Sequence, residues 1–196
     1  MSVTHRVGAV ASTQDALHAL AEGGAPSGTA VVAAVQGGGR GSRGRAWASP
    51  AGGLWLSVLV REEARPALEG LSLRAGLAVA GAIEALPGAP PVALKWPNDL
   101  LVGGRKLGGI LCEARWSGDR FLWAVVGVGV NVANAIPEEL AGRATALATH
   151  RPGSTPAELE PRVLAALRAL DVTRGASAAE LAAIAARGAV APAVPA

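Results

Sequence analysis

The sequence predicts an α+β domain in which helices cover a mixed, largely antiparallel sheet. Two apolar runs in the first third of the chain have the composition of buried strands, and three more follow later with short turns between them. The segment between these groups repeats apolar residues every three or four positions, as a helix packed on a sheet does. A chain of 196 residues can bury one core, so a single domain is expected.

The first elements alternate between helix and strand. Ser12 opens STQDALHALAEGG, where a hydroxyl cap and a nearby acid suit the first turn of a helix, and Gly23 and Gly24 end it. TAVVAAVQ at 29–36 and GGLWLSVLVR at 52–61 then have the pattern of strands. In the second strand, alternate residues share one face: Leu54, Leu56, Val58 and Val60.

The remaining elements are a helix, a meander and a helical tail. Residues 66–86, PALEGLSLRAGLAVAGAIEAL, have the apolar period of a long buried helix. VALKWPNDLLV, KLGGILCEARW and FLWAVVGVGVNV, separated by GGR and SGDR turns, predict an antiparallel meander. The tail from about 138 to 187 is predicted to be helical, with a break at the proline-containing link 150–156.

Composition limits the class of protein. Hydrophobic residues make up 51% and charged residues 17%, and no uncharged apolar run is long enough to span a membrane, so we expect a soluble protein. The N-terminus lacks a long apolar stretch followed by a small-residue cleavage site, and the single Cys112 cannot form an internal disulfide. A cytoplasmic location is therefore expected.

The loop QGGGRGSRGRAW at 36–47 carries three arginines and no acid. The formal net charge of the chain is +3, so these arginines equal the whole excess and favour a small anionic ligand over a nucleic-acid face. Glycines let backbone N–H groups approach phosphate oxygens, and arginines present planar donor pairs to them. The loop is thus predicted to clamp a phosphate, and a solvated hairpin loop whose arginines only aid solubility is the alternative.

Common nucleotide and metal motifs do not fit this sequence. Residues 39–44 match G-x-G-x-x-G, but they lead into another strand rather than into a helix that would receive a pyrophosphate. No Gly-Lys-Ser/Thr closes the glycine run, which excludes a P-loop. The histidines at positions 5, 18 and 150 are too scattered to indicate a zinc site or a catalytic triad.

Three longer motifs resemble those of a known family. GRGSRGRAWASPAGGLWLSVLVR, KWPNDLLVGGRKLGGILCEAR and VVGVGVNV have the order and spacing seen in biotin protein ligases, and the resemblance runs from about Ser12 to Asn131. KWPND followed by RKLGGIL is its most specific part, and residues 144–147 add a weaker match. Lipoate ligases and octanoyl transferases are similar in fold, but the tryptophan, proline and lysine pattern at 95–99 favours biotin.

The resemblance implies the catalytic-domain fold that biotin and lipoate ligases share with class II aminoacyl-tRNA synthetases. We expect one catalytic domain over 1–196, with its core at about 5–150 and a helical tail at about 156–187. The first site motif is reached by Ser12, so no N-terminal helix-turn-helix domain is expected. The alanine-rich end leads us to expect no C-terminal β-barrel, and a homodimer made by sheet edges is compatible with the sequence.

The implied reaction has two steps. The biotin carboxylate attacks the α-phosphate of ATP to give biotinyl-adenylate and pyrophosphate. A lysine of a biotin carboxyl carrier protein, from acetyl-CoA carboxylase or a related carboxylase, then attacks the activated carbonyl. Mg²⁺ is expected to arrive with the ATP phosphates, and neither nucleic acid nor a membrane is an expected partner.

The resemblance assigns the cations of the chain to these anions. Lys95 is the first choice for the catalytic role, because an ammonium can contact carboxylate and phosphate oxygens together; a surface lysine at a strand end is the alternative. Arg40 would act beside it by covering the biotin carboxylate or the adenylate phosphate, and Arg43 and Arg45 would hold the polyphosphate. Ser42 stands where the family commonly has an arginine that limits escape of the adenylate. Either the neighbouring Arg43 compensates, or a flexible loop leaves the replacement unpaired, and the sequence leaves both alternatives open.

The implied biotin site is apolar with a few polar groups. In the family a Ser-Thr-Asn run contacts the ureido head, and here the run is Ser12-Thr13-Gln14, joined by Gln36; helix capping is the alternative for Ser12 and Thr13. The loop and strand residues expected beside biotin are Gly39, Gly41, Ser42, Gly108, Gly109, Gly127 and Gly129. For the strand glycines, the alternative to contact with the ligand is that they serve packing or a bend of the strand.

The ATP end is expected to involve four further residues: Trp47, Asn98, Lys106 and Asn131. Tryptophan can stack on a base, and asparagine can pair with an adenine edge. Asn98 and Asp99 follow Pro97 in a turn, where both residue types commonly bond to the local backbone. Such bonding is the alternative to a role of Asn98 at ATP and of Asp99 in positioning the ligand or the incoming lysine.

Three other functions remain open at this point. A lipoate or octanoate ligase or transferase would be separated by ligand competition, because those acyl groups lack the ureido head. A non-catalytic module would bind biotin or an adenylate without releasing pyrophosphate. Nucleic-acid binding through the loop would need a wider basic face or stacking aromatics.

Overall fold

The computed structural model describes residues 2–61, 68 and 70–188, and these residues form a seven-stranded sheet. The strands are β1 (Thr4–Val10), β2 (Ala30–Gln36), β3 (Leu54–Val60), β4 (Ala93–Lys95), β5 (Asp99–Val102), β6 (Arg105–Ser117) and β7 (Arg120–Val130). They lie in the order β1-β2-β3-β7-β6-β5-β4, with β1 and β2 parallel and the other neighbours antiparallel. The predicted mixed, largely antiparallel sheet and its meander are confirmed.

The helices of the described chain are α1 (Thr13–Glu22), α2 (Leu71–Glu84), α3 (Leu147–His150), α4 (Pro156–Arg168) and α5 (Ala178–Ala186). α1 has the predicted limits, with Ser12 as its N-cap residue and Gly23 as its C-cap residue. The helix predicted for 66–86 begins only at Leu71, because Gly70 has a left-handed conformation with φ of 71°. Its predicted positions 66, 67 and 69 lie outside the described residues. No helix in the described ranges has the length and apolarity needed to cross a membrane.

Two features of the sheet differ from the prediction. β1 was not predicted, because this edge strand is mostly exposed and its sequence THRVGAV has only a short apolar end. The strand predicted over 92–102 is divided into β4 and β5, which pair antiparallel with Lys95 opposite Asp99. The turn between them contains Pro97, which has no N–H to donate to a sheet.

The sheet separates two apolar cores. On one face, α2 and α4 pack on strand residues such as Leu56 and Val128. On the other face, Leu17 of α1 packs with Leu59 and Val125. Because successive strand residues point to opposite faces, the odd-numbered residues of β3 and β7 face α1.

One buried cation ties α2 to the C-terminal part of the chain. Arg74 is 1% exposed and donates hydrogen bonds to the carbonyl oxygens of Asp171, at 2.8 Å, and Arg174, at 2.9 Å. It also donates to Glu180 Oε1 at 3.2 Å. Glu180 in turn forms a capping box with Ser177 at the start of α5. The position of residues 171–180 therefore depends on a single guanidinium.

Candidate active site

A cavity of about 340 Å³ lies on the α1 face of the sheet, a volume within the range of small-molecule sites. It is lined by β3, β6, β7, the first turn of α1, the loop after β2 and the segment 136–144. The sequence-predicted residues that line it are Ser12, Thr13, Gln14, Gln36, Arg40, Gly41, Ser42, Arg45, Trp47, Asn98, Lys106, Gly109, Gly127, Gly129 and Asn131. The structure does not bring Gly39, Arg43, Lys95 or Gly108 to this lining.

One part of the cavity wall is a closed set of hydrogen bonds. The backbone N–H and the hydroxyl of Thr13 donate to Gln36 Oε1 at 2.8 and 3.0 Å, and the same hydroxyl lies 2.9 Å from Ser57 Oγ. Gln36 Nε2 donates to Ser49 Oγ at 2.8 Å. Gln36 thereby satisfies a free donor of the first turn of α1, whereas the Ser12 hydroxyl makes no capping hydrogen bond.

Gln14 covers Gly127, where an added β-carbon would lie 3.0 Å from the Gln14 side chain. Gln14 Nε2 donates to the Leu111 carbonyl oxygen at 3.3 Å and to Glu113 Oε2 at 3.1 Å. Gln14 Oε1 is buried and has no hydrogen-bond partner. Gln14 lines the cavity, and this unpaired acceptor lies over Gly127, which also lines it.

Trp47 covers the other two strand glycines of the cavity, Gly109 and Gly129. An added β-carbon would lie 2.7 Å from Trp47 Nε1 at Gly129 and 3.5 Å from Trp47 Cζ3 at Gly109. Trp47 Nε1 is a second buried polar atom without a partner, in this case a donor. Gln14 and Trp47 therefore occupy part of the space above these glycines, and the rest of that space belongs to the cavity.

Gly39 and Gly108 serve packing rather than the cavity surface. A β-carbon on Gly108 would lie 2.6 Å from the Gly129 carbonyl oxygen and 3.2 Å from Leu100, which belongs to the core under α2. Gly39 is buried where the loop crosses Trp47, and its carbonyl oxygen accepts from the Trp47 N–H at 2.8 Å. The predicted contact of these two glycines with the ligand is corrected accordingly.

The crossing at Gly39 gives a testable effect on stability. In Gly39→Ala the new methyl would overlap the Trp47 carbonyl oxygen and lie 2.6 Å from Ser49 Oγ. We expect the variant to lose about 1–3 kcal/mol of unfolding free energy, measured by urea denaturation. Gly37→Ala is the matched control, because no atom lies within 4 Å of its β-carbon position. Equal stabilities of the two variants would contradict this account.

Lys106 brings an ammonium group to the cavity. Its Nζ lies 2.5 Å from Asp99 Oδ1 and 5.0 Å from the centre of the Trp47 ring. Asp99 also lines the cavity, so the ion pair faces the ligand space. The ring face and the carboxylate hold the ammonium in place by cation–π and ionic attraction.

A bulge in β6 explains why this lysine points into the cavity. Leu101 pairs with Lys106 and Leu100 pairs with Gly108, so Leu107 is an extra residue on β6. A bulge redirects the side chains that flank it. Leu107 is fully buried in the core, and Lys106 lies on the cavity side.

Lys95, the predicted catalytic residue, does not reach the cavity. It is exposed on β4, the outermost strand, where it pairs across the ladder with Asp99. Asp99 holds Lys106 instead. The alternative that the sequence offered, a surface lysine at a strand end, describes Lys95, and the neighbouring Trp96 is also exposed, at 41%.

The three arginines of the loop take different positions. Arg40 lines the cavity and pairs with carboxylates of α1 and β6. Arg45 donates to the carbonyl oxygen and the hydroxyl of Ser42, at 3.2 and 3.1 Å. Arg43 is exposed with φ of 60° and does not line the cavity, so its compensation for the arginine that the family commonly has at Ser42 stays a prediction.

Asn98 and Asn131 line the cavity while bonding to other parts of the protein. Asn98 Nδ2 donates to the Ile110 carbonyl oxygen at 2.8 Å, and the Asn98 carbonyl accepts from the Ile110 N–H at 2.9 Å. Asn131 Oδ1 accepts from Asn134 Nδ2 at 3.1 Å. The side-chain partner of Asn98 is thus on the facing strand β6, and not in the local turn that was the alternative for it.

Several residues that line the cavity were not predicted from the sequence. Ser57 is one, although strand alternation places it on the α1 face opposite the apolar positions of β3. Arg143 is another, and it lies in an irregular segment whose path no periodic pattern predicts. The backbone at Arg143 accepts from the Lys106 N–H at 2.9 Å, so β6 holds this segment beside the cavity.

Behind the cavity, His18 is held as a neutral imidazole. Trp123 Nε1 donates to His18 Nδ1 at 2.9 Å, which leaves Nε2 as the protonated nitrogen, 3.4 Å from Glu113 Oε2. Burial, and then the charge of Arg115, lower the pKa of His18 below its ordinary value, while the hydrogen bond with Glu113 opposes this shift and the charge of Arg40 adds to it. The neutral form is therefore favoured by folding.

A lowered His18 pKa makes stability depend on pH. The unfolded chain takes up this proton before the folded protein does, so the contribution of neutral His18 is complete above about pH 6.5 and is lost as the pH falls below it. His18→Gln keeps hydrogen-bonding groups but does not titrate. We expect the stability advantage of the wild type over this variant, measured in urea, to shrink from about pH 7.5 to about pH 5.5. A constant difference would show that folding does not lower the His18 pKa.

Comparison with known proteins places this geometry in a family. Residues 7–131 match the biotin/lipoate A/B protein ligase family. The bifunctional ligase/repressor BirA of Bacillus spizizenii is 41% identical over 143 residues, which are 70% of this chain and 44% of that protein. The biotin--[acetyl-CoA-carboxylase] ligase of Mycobacterium tuberculosis is 44% identical over 138 residues, or 68% of this chain and 50% of that protein. The chain thus spans about half the length of these relatives.

Solved structures agree with the fold. The biotin protein ligase of Leishmania major in complex with biotinyl-5-AMP has a TM-score of 0.71 and 31% identity, covering 85% of this chain and 74% of that one. The biotin protein ligase of Aquifex aeolicus in complex with biotin and ATP has a TM-score of 0.70 and 35% identity, covering 85% and 69%.

Proposed function

This chain belongs to the biotin/lipoate A/B protein ligase family, and from that premise we propose that it is an ATP-dependent ligase that attaches biotin to a protein lysine. The biotin carboxylate attacks the α-phosphate of ATP, and pyrophosphate leaves as biotinyl-adenylate forms. The amine of the acceptor lysine then attacks the acyl carbonyl, and AMP leaves as the amide forms.

The observation that carries the proposal is that one cavity joins an amide-rich part to a cationic part. Thr13, Gln14 and Gln36 offer hydrogen-bonding groups that suit a ureido head. Lys106 and Arg40 offer charges that suit a carboxylate and a phosphate. The related structures, in complex with biotinyl-5-AMP and with biotin and ATP, support the same ligands.

Lys106, rather than Lys95, takes the catalytic role in this proposal. Two anions must meet in the first step, and negative charge grows on the phosphoryl oxygens as they do. An ammonium already fixed beside Asp99 stabilises that charge without reorganisation during the reaction. Arg40 would cover the phosphate side from the loop.

The unpaired acceptor on Gln14 favours biotin over lipoate or octanoate. Gln14 Oε1 is buried without a donor, and a ureido N–H would satisfy it. The dithiolane of lipoate and the alkyl chain of octanoate have no N–H to offer. A site built around an unpaired polar atom discriminates against ligands that leave it unpaired.

Magnesium enters the proposal with ATP. Within residues 2–61, 68 and 70–188, no group of three or more histidine, cysteine or acidic side chains is arranged to hold a metal ion. The acid that lines the cavity, Asp99, is paired with Lys106. Mg²⁺ would therefore be bound as part of the nucleotide substrate, and no step is assigned to an ion held by the protein.

The acceptor in this proposal is the lysine of a biotin carboxyl carrier protein. The name of the Mycobacterium tuberculosis relative, biotin--[acetyl-CoA-carboxylase] ligase, supports a carboxylase subunit as that carrier. The reaction would then take place in the cytoplasm.

The test is pyrophosphate release by the full chain with biotin, ATP and Mg²⁺. Mass spectrometry would detect biotinyl-adenylate and a mass increase on an apo carrier domain, and both products are expected. Release driven by lipoate or octanoate instead of biotin would reassign the substrate. Biotin binding without pyrophosphate release would indicate a binding module, and no biotin binding would overturn the proposal.

A further inference from the structure

Glu113 lies just beyond the cavity, where one of its carboxylate oxygens gathers three donors. Glu113 Oε2 is 2.6 Å from an Arg40 guanidinium nitrogen, 3.1 Å from Gln14 Nε2 and 3.4 Å from His18 Nε2. We propose that Glu113 is a positioning residue that fixes which end of the Gln14 amide faces the cavity and where Arg40 is held. The identity of the ligand in this inference rests on the proposed function, whereas the positioning itself does not.

The orientation of Gln14 follows from the chemistry of its neighbours. A carboxylate and a backbone carbonyl can only accept hydrogen bonds, so the amide NH₂ must face Glu113 and Leu111. Gln14 Oε1 then lies over Gly127 of the cavity floor, buried and without a donor. Position 14 thus presents an acceptor to the ligand because of an acid that does not line the cavity itself.

The same oxygen also anchors the arginine loop. Arg40 bridges Glu113 on β6 and Asp15 on α1, at 2.6 and 2.7 Å, while its side chain remains 38% exposed. Two carboxylates on different elements fix a guanidinium better than one, because its donors form a rigid fork. Glu113 therefore fixes both the orientation of the acceptor at Gln14 and the position of the cation at Arg40.

Glu113 is itself held from behind. Trp123 orients His18, and the remaining ring N–H of His18 faces the carboxylate. Glu113 lies on β6 opposite Val125 of β7, so its backbone is fixed in the middle of the sheet. A network in which every donor converges on one oxygen resists rotation of any single member.

The variant Glu113→Gln isolates the polarity of this group, since it keeps the shape but adds an NH₂ donor opposite the Gln14 NH₂. We expect the Gln14 side-chain NH₂ signal to shift in the nitrogen–proton correlation spectrum of the ligand-free protein, with Gln14→Leu identifying that signal. Asp119→Asn, in the exposed turn between β6 and β7, is the control for loss of a charge. An unshifted Gln14 signal in Glu113→Gln would overturn the inference whether or not the protein binds biotin.

Calorimetric titration with biotin in the absence of ATP then tests the consequence for the ligand. Glu113→Gln should weaken biotin binding about tenfold, and in a Gln14→Leu background the same change should weaken it by less than about threefold. Equal losses in the two backgrounds would overturn the inference, because Glu113 would then act independently of Gln14. Failure of the wild type to bind biotin would instead overturn the proposed function.

Discussion

Replacing Lys106 with methionine is expected to slow adenylate formation by about 100- to 1000-fold. Lys106 is the ammonium that the β6 bulge turns into the cavity, where Asp99 and the Trp47 ring hold it. Methionine keeps much of the length of the side chain but cannot stabilise the charge that develops at phosphorus. The rate would be measured as pyrophosphate release at saturating biotin and ATP.

Lys95→Met separates this interpretation from the one that the sequence favoured. Lys95 belongs to the same sheet and carries the same charge, but it lies exposed at the outer strand. Its replacement should lower the rate by less than about tenfold. If Lys95→Met were as slow as Lys106→Met, the assignment to Lys106 would be wrong. Urea unfolding of both variants would show whether the loss of Lys106, which leaves Asp99 unpaired, acts through the fold instead.

Replacing Arg74 with methionine is expected to cost about 3 kcal/mol of unfolding free energy. The change removes the donors of two backbone carbonyl oxygens and one ion pair from a side chain that is 1% exposed. Methionine fills much of the space, so the loss reports the missing hydrogen bonds more than a cavity. The measurement is the urea denaturation midpoint and slope of the full chain.

Arg174→Met is the matched control for this effect. Arg174 also pairs with Glu180, at 2.6 Å, but its side chain is 47% exposed. Water replaces the contacts of an exposed arginine, so its loss should cost less than about 1 kcal/mol. Equal costs for the two variants would show that residues 171–180 are not held by the buried guanidinium.

Sequence patterns predicted the elements with strong periodicity and missed those defined by their neighbours. β3 and β7 are long apolar runs, and their faces follow from alternation. β1 is exposed and exists because β2 is available to pair with it, which no property of THRVGAV reveals. A turn after Pro97 was predicted, since proline in a run argues for an interruption, but the division of 92–102 into two paired strands was not.

In the candidate site too, sequence patterns predicted some side-chain positions and not those that depend on neighbouring strands. Gln36 and Thr13 were placed correctly because each lies at the end of a well-marked element. Lys106 lines the cavity and Lys95 does not, and the orientation of Lys106 depends on one extra residue of β6, Leu107. A bulge depends on how two strands pair, so the sequence of one strand alone does not predict it.

The floor of the cavity constrains how this protein can change over evolutionary time. Gly109, Gly127 and Gly129 already have the smallest side chain, so every substitution at these positions adds atoms to the floor. Two of them lie directly under Gln14 and Trp47. Lineages that come to accept a bulkier substrate must therefore gain room from other side chains of the cavity, such as the covering Gln14 and Trp47, whereas substitutions in the floor only narrow it.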